Sequence, residues 1–126
     1  MSYKSFEEMP LWQEAHKLAV KIHEITSSFP KHELYGLTSQ LRRAAVSIAA
    51  NVAEAFGRYH YRDKLRFYYN SRGSAYEVKS HLLYARDVNY IDADLLDDLA
   101  QKLDAILHDL NKIIATIRDR LSKGNS

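Results

Sequence analysis

The chain of 126 residues contains no cysteine, which excludes disulfides, thiolate metal sites and a cysteine nucleophile. Four glycines and two prolines make up about 5% of it, against about 12% in an average protein. A chain so poor in turn-formers has few turns, and therefore few, long elements. No apolar run approaches the roughly 20 residues that span a bilayer, so no membrane partner is expected. The start, Met-Ser-Tyr-Lys-Ser-Phe-Glu-Glu, carries acid where a signal peptide needs an apolar stretch. Gly36, Gly57, Gly73 and Gly124 stand apart, so a phosphate-cradling glycine loop is missing. Ser71-Arg72-Gly73-Ser74 lacks the glycine spacing and strand–turn–helix setting of a nucleophile elbow. Metal sites in helix bundles use Glu-x-x-His, whereas Glu77 to His81 and Asp104 to His108 are one residue too long. His16 and His23 lie seven apart and share a helix face, but an isolated pair is ordinarily just solvated histidine. The expectation is a cytoplasmic, non-enzymatic chain with no cofactor and no metal.

What is present reads as an all-α protein. Hydrophobic content of 46% and charged content of 27% are ordinary for a globular domain and argue against disorder. The length predicts one domain, residues 1–121, followed by a flexible tail, 122–126. Pro10 suits the first turn of a helix over 10–29, where its missing N–H has no partner anyway. Leu11, Ala15, Leu18, Ile22, Ile25 and Phe29 then recur at spacings of three and four, and Pro30 closes the segment. A second helix is expected over 37–57, a third over 61–88 and a fourth over 92–121. Asp92 is placed to cap the fourth, which carries Leu96, Leu99, Leu103, Ile106, Leu110, Ile113 and Ile117. Short connections make sequential helices antiparallel neighbours, which is an up-down-up-down four-helix bundle.

The second helix has more apolar surface than a monomer covers. At 100° per residue, Gln40, Arg43, Ser47, Asn51, Glu54 and Arg58 share one arc of about 80°. From Arg43 onward the rest of that cylinder is apolar or small. A surface helix usually carries an apolar stripe only a little over 100° wide, so a broader one is expected to serve both the core and a subunit interface. Arg43, Asn51 and Glu54, if enclosed, must satisfy one another or groups on the third helix. That third helix has two apolar lines: Leu65, Tyr69, Tyr76 and Leu83, then Phe67, Ala75, Val78, Leu82 and Ala85. Lys64, Tyr68, Arg72, Lys79 and Arg86 form a ridge between them. Two apolar faces imply two packing partners.

The charge total of +2 hides a distribution. Residues 34–90 hold nine Lys+Arg against four Asp+Glu, so attraction to an anionic partner must come from there. Within that segment, Arg58, Arg62, Lys64, Arg66 and Arg72 interleave with Tyr59, Tyr61, Phe67, Tyr68 and Tyr69. Cations for phosphates and aromatic faces for bases compose a nucleic-acid surface. The same residue types are favoured in protein interfaces, and the composition leaves both open.

The run Tyr35-Gly36-Leu37-Thr38-Ser39-Gln40-Leu41-Arg42-Arg43-Ala44-Ala45-Val46-Ser47-Ile48, followed by Asn51-Val52-Ala53-Glu54, resembles the core motif of the 23S rRNA intervening-sequence proteins. These are bacterial four-helix-bundle proteins, some encoded inside insertions in large-subunit rRNA genes. Leu11-Trp12 with Ala15, Phe29-Pro30, and Gly73-Ser74 with Glu77 support the resemblance, which covers nearly the whole chain. Ala49 stands where that family often has proline, and Ala55 where it usually has glycine. The resemblance implies a four-helix bundle, a homopentamer and no established catalytic activity. It also makes Gln40, Arg42, Arg43, Ser47, Asn51, Glu54, Gly73, Ser74 and Glu77 the expected polar network. The accessory variability determinant of diversity-generating retroelements, a basic pentameric bundle working with a reverse transcriptase, is similar in architecture. The first functional expectation is therefore an oligomer binding RNA or DNA through Arg58, Arg62, Lys64, Arg66, Arg72, Lys79 and Arg86, with Tyr59 and Tyr68 as stacking faces. The alternative is a protein-interaction scaffold, such as an accessory subunit of a reverse transcriptase.

Overall fold

A computed structural model describes residues 2–126; Met1, part of the expected domain, lies outside the described residues. Among these there are four α-helices and no strand: α1 (Pro10–Thr26), α2 (Leu37–Phe56), α3 (Tyr61–Asp87) and α4 (Ala93–Ser122). Two 3₁₀ turns, Phe6–Glu8 and Lys31–Glu33, precede α1 and α2.

The first helix stops three residues short of the expected Phe29. Thr26 donates its hydroxyl to the Ile22 carbonyl at 2.8 Å, Ser27 to His23 at 3.0 Å and Ser28 to Ile25 at 2.9 Å. Such side chains compete for the carbonyls that would continue the helix, and the amides of Ser27, Ser28 and Phe29 bond three residues back instead of four. At the other end of the chain, the Asp92 carboxylate accepts the Leu95 amide at 2.8 Å, which is the expected cap of α4. α3 finishes in a left-handed residue, Asn89 at φ 66°, with the Tyr90 amide on the Ala85 carbonyl and the Asn89 amide on Arg86. This is a Schellman ending, and asparagine tolerates its left-handed position better than most residues.

That ending aims Tyr90 at the α1–α2 connection. Its hydroxyl donates to Glu33 Oε2 at 2.8 Å, its ring lies 5.3 Å from Phe29, and His32 Nε2 stands 3.4 Å from the same hydroxyl. The other oxygen of Glu33 accepts the Leu37 amide at 3.3 Å, capping α2 where Gly36 offers no side chain. A Cβ on Gly36 would stand 3.0 Å from that oxygen, so any larger residue there would push the Glu33 carboxylate aside by a few tenths of an ångström. The Tyr90 and Leu37 hydrogen bonds hold the Glu33 carboxyl below the usual range, and Glu33 pushes the Tyr90 phenol up.

The core runs the length of the bundle. Leu18 and Ile22 from α1, Leu41, Ile48 and Val52 from α2, Val78 and Leu82 from α3, and Leu99, Leu103 and Leu110 from α4 are all fully buried. α2 packs against both α1 and α3. Its seam with α3 is drawn close by hydroxyl groups. Ser71, fully buried, donates to the Ile48 carbonyl at 2.8 Å, and Ser74 donates to Ser47 Oγ at 2.8 Å. Buried Ala44, Ala55 and Ala75 leave room for that approach.

Candidate nucleic-acid interface

The nine cations and aromatics singled out in the sequence divide into three sets. Arg58, Tyr59, Arg62 and Arg66 are exposed at the α2–α3 connection and the first turns of α3. Arg58 and Arg66 stand 4.6 and 4.7 Å from the centre of the Phe67 ring, which holds two guanidinium groups near one aromatic ring. Arg58 also reaches Glu54 Oε2 at 3.4 Å, an exposed pair that contributes little. Tyr59 is 88% exposed, with its ring edge-on to His60 at 5.0 Å.

The second set runs along the junction of α3 with α4. Arg72 donates to Asn111 Oδ1 at 3.0 Å and lies 5.1 Å from the Tyr69 ring centre. Lys79 pairs with Asp104 at 3.6 Å, and Arg86 with its neighbour Asp87 at 2.9 Å. All three are half-buried and already have partners.

Lys64 and Tyr68 correct the sequence reading. Lys64 donates to the carbonyls of Ala55 at 3.0 Å and Phe56 at 3.4 Å, so it caps the C-terminus of α2, where unpaired carbonyls attract a cation. Burial lowers its amine pKa. Tyr68 is only 5% exposed and belongs to the core, so its ring is closed to a nucleobase; burial pushes its phenol up. Both share a column of α3 with Arg72 and Lys79. The longer side chains of Arg72 and Lys79 reach out to exposed Asn111 and Asp104 of α4, whereas the shorter Tyr68 ring stays in the core.

The expected polar network is also dispersed. Ser47, Asn51 and Ser74 do meet, with Asn51 Nδ2 donating to the Ser47 carbonyl at 2.8 Å and hydroxyl at 3.0 Å. Arg42 turns to α1, donating to Thr26 Oγ1 at 2.8 Å, the His23 carbonyl at 3.1 Å and Ser27 Oγ at 3.2 Å. Glu54 goes to Arg58, and Glu77 to His81 at 3.3 Å. Gln40, Arg43 and Gly73 are exposed and join none of these groups. The enclosed Arg43–Asn51–Glu54 cluster is thus not formed, because α2 turns Arg43 and Glu54 outward. Ser71 carries the buried contact instead. Its four- and seven-residue spacing from Ala75 and Val78 is the sequence signal that marks it as inward-facing.

Two apolar faces remain open. A groove of about 670 Å³ between α1 and α2 is lined by Phe6, Trp12, His16, Val20, Val46 and Ala50. Trp12 stacks on His16 at 4.7 Å, and Phe6 meets Trp12 edge-on at 5.1 Å. On α3, Tyr69, Tyr76 and Leu83 are exposed, while Leu65 of the same line is half-buried against the core, so most of the outer of the two expected lines is open to solvent among the described residues.

Among the described residues no three His, Asp or Glu side chains converge as metal ligands, and no helix is long and apolar enough to cross a membrane. No curated protein matches the chain. The family model described as 23S rRNA-intervening sequence protein matches residues 7–112, a span that contains the Gln40–Glu54 motif, Gly73-Ser74 and Glu77. The chain belongs to that family.

Proposed function

We propose that this protein is a non-enzymatic, cytoplasmic nucleic-acid-binding bundle that works as a homo-oligomer. The observation that carries the reading is the open surface of Arg58, Tyr59, Arg62 and Arg66. Arg62 and Arg66 make no ion pair among the described residues. Three guanidinium groups supply phosphate contacts, and the free Tyr59 ring supplies a stacking face for an unpaired base. Family membership supports an RNA-related role, and single-stranded RNA is the ligand that uses both features.

The assembly part of the proposal is an antiparallel up-down-up-down bundle in a ring-like oligomer, with a pentamer as the first choice. Its support is the pair of unlike open faces, the α1–α2 groove and the α3 stripe. Unlike faces join head to tail and close into rings when the rotation allows. The groove also favours the second reading, a scaffold seated on a protein partner such as a reverse transcriptase, because exposed apolar surface of this kind marks interaction sites.

Replacing Arg58, Arg62 and Arg66 together with glutamine tests the first reading. RNA binding should be lost while the oligomer survives. Binding equal to that of the parent would remove the site and leave the scaffold reading. Light scattering tests the assembly, and a mass near 14.6 kDa would end the oligomer proposal.

A further inference from the structure

The α2–α3 connection is one part of a larger basic end. The Arg62 amide donates to the Ser126 carbonyl at 3.4 Å, and the Arg120 guanidinium stands 5.4 Å from the centre of the Tyr61 ring. The last turns of α4 therefore lie against the first turn of α3. Segments 54–66 and 116–126 together hold seven lysines and arginines against three acids. The N-terminal segment 3–9, joined to them through Phe6 on Phe56 at 6.5 Å, adds one cation and two acids. At the opposite end, segments 28–36 and 86–98 hold two cations against six acids. The molecule is electrically polar along its length.

The register between α3 and α4 places the α4 cations individually. Lys79 pairs with Asp104, and seven residues along each helix Arg72 meets Asn111. One further step of seven brings Arg118 level with Leu65, between the heights of Arg62 and Arg66. Asp119 is occupied by Lys123 at 3.0 Å, while Arg118 and Arg120 are exposed and make no ion pair among the described residues. Attraction of cations to a helix C-terminus accounts for Arg120 and Lys123, but it fades beyond the last turn, where Arg118 sits. The family match stops at residue 112, so it does not reach these side chains.

We propose that the phosphate-binding surface crosses from the α2–α3 connection onto the last two turns of α4, with Arg118 and Arg120 contacting the same nucleic-acid backbone as Arg62 and Arg66. This rests on the nucleic-acid reading above and extends its site to a third helix. A strand lying across the end of the bundle meets guanidinium groups on both sides of the junction, with Tyr59 on its flank.

The test uses the full chain and a fluorescent uridine oligonucleotide of roughly 30 residues, titrated across a salt series. Each neutralised phosphate on a single strand contributes about 0.7 to the slope of log affinity against log salt. An Arg118→Gln/Arg120→Gln double variant should therefore lower the slope by about 1.4 for each protomer that the oligonucleotide contacts, while Arg118→Lys/Arg120→Lys keeps it near the parent value. A Lys17→Gln/Lys21→Gln variant, which removes equal charge from the α1 side facing α4, should leave the slope unchanged. Circular dichroism confirms that each variant is folded. A parental slope in the α4 glutamine variant, with binding still lost on changing Arg58, Arg62 and Arg66, overturns the α4 site alone. Equal slope losses in the α4 and α1 variants overturn it too, since only total charge would then matter. If the α4 glutamine variant changes the mass in light scattering instead of the slope, these arginines hold another copy of the chain and the proposal fails. A parent that does not bind the oligonucleotide even at low salt removes this inference together with the function on which it rests.

Discussion

The two flanks of α2 draw on the same alanine-rich sequence and end in opposite states. Toward α3, Ser47, Ile48 and Asn51 meet Ser71 and Ser74 in a closed seam tied by hydroxyl hydrogen bonds. Toward α1, Val46 and Ala50 face Trp12, His16 and Val20 across an open groove. Small residues permit close helix approach on both sides, but only toward α3 do hydroxyl donors tie the helices at mid-length, Ser71 to the Ile48 carbonyl and Ser74 to Ser47. On the α1 side the one polar tie among the described residues is Arg42, which reaches the C-terminus of α1 and leaves the middle of the groove free. Alanine content thus sets how near two helices can come, and the partner helix decides whether they do.

The largest disturbance should come from the inner face that both flanks share. Ile48→Asp or Val52→Asp places a carboxylate where each native side chain is fully buried, and an unpaired buried charge costs several kcal/mol. The chain should be unfolded at room temperature by circular dichroism; a parental melting temperature would show that this face is not enclosed.

Within the closed seam the expected effects are smaller and separable. Ser71→Val adds bulk where Ser71 Oγ approaches Ile48 at 2.8 Å and should cost about 1–3 kcal/mol by overpacking. Ser71→Ala removes the hydrogen bond without adding bulk and should cost about 1 kcal/mol. Urea denaturation separates the two, and equal losses would mean that hydroxyl bonding, not space, governs the seam.

Val46→Asp probes the open flank. Val46 is 58% exposed, so the stability of the bundle itself should shift by less than about 0.5 kcal/mol. The mass in solution should nevertheless fall if the groove is a subunit interface. An unchanged mass would leave the groove without a role in assembly.

The finest effect belongs to the start of α2, where Tyr90 and Glu33 hold the helix N-terminus. Glu33 is held below the usual carboxylate range, so its contribution is present above that range and lost as pH falls through the lowered value. Tyr90 is pushed up, so its contribution is present below the usual phenol range and lost as pH rises through the raised value. The difference in melting temperature between parent and Tyr90→Phe should be widest near neutral pH and shrink on both sides. A difference that stays constant from acid to alkali would show that the Tyr90 ring, not its hydroxyl, does the holding.

Helix existence was legible because the apolar spacing is dense. Leu96, Leu99, Leu103, Ile106, Leu110 and Ile117 are all buried as their spacing implies, while Ile113 is half-buried and Ile114 buried in its stead. A straight helix drifts against a strict seven-residue repeat, so late positions slip by one. The exposed arginines were legible too, since Arg58, Arg62 and Arg66 need only a surface. Lys64 and Tyr68 were not, because their roles depend on where α2 ends beside α3 and on what α4 covers. No local pattern encodes either. The tie between Glu33 and Tyr90 left no trace for the same reason, and the dispersal of the motif residues followed from α2 turning Arg43 and Glu54 outward.

The tie from Tyr90 to Glu33 has a kinetic meaning. It spans 57 residues, enclosing all of α2 and α3, so closing it early would carry the entropy of a long loop for a single hydrogen bond. It can form cheaply only once those two helices have docked and brought the chain ends of their pair together. Contacts made after the rate-limiting step act on the unfolding rate and leave the folding rate nearly untouched. The clasp is therefore expected to act as a lock on an already assembled bundle: its loss should steepen escape from the native state, visible as a raised unfolding arm and an unmoved folding arm in a chevron of Tyr90→Phe.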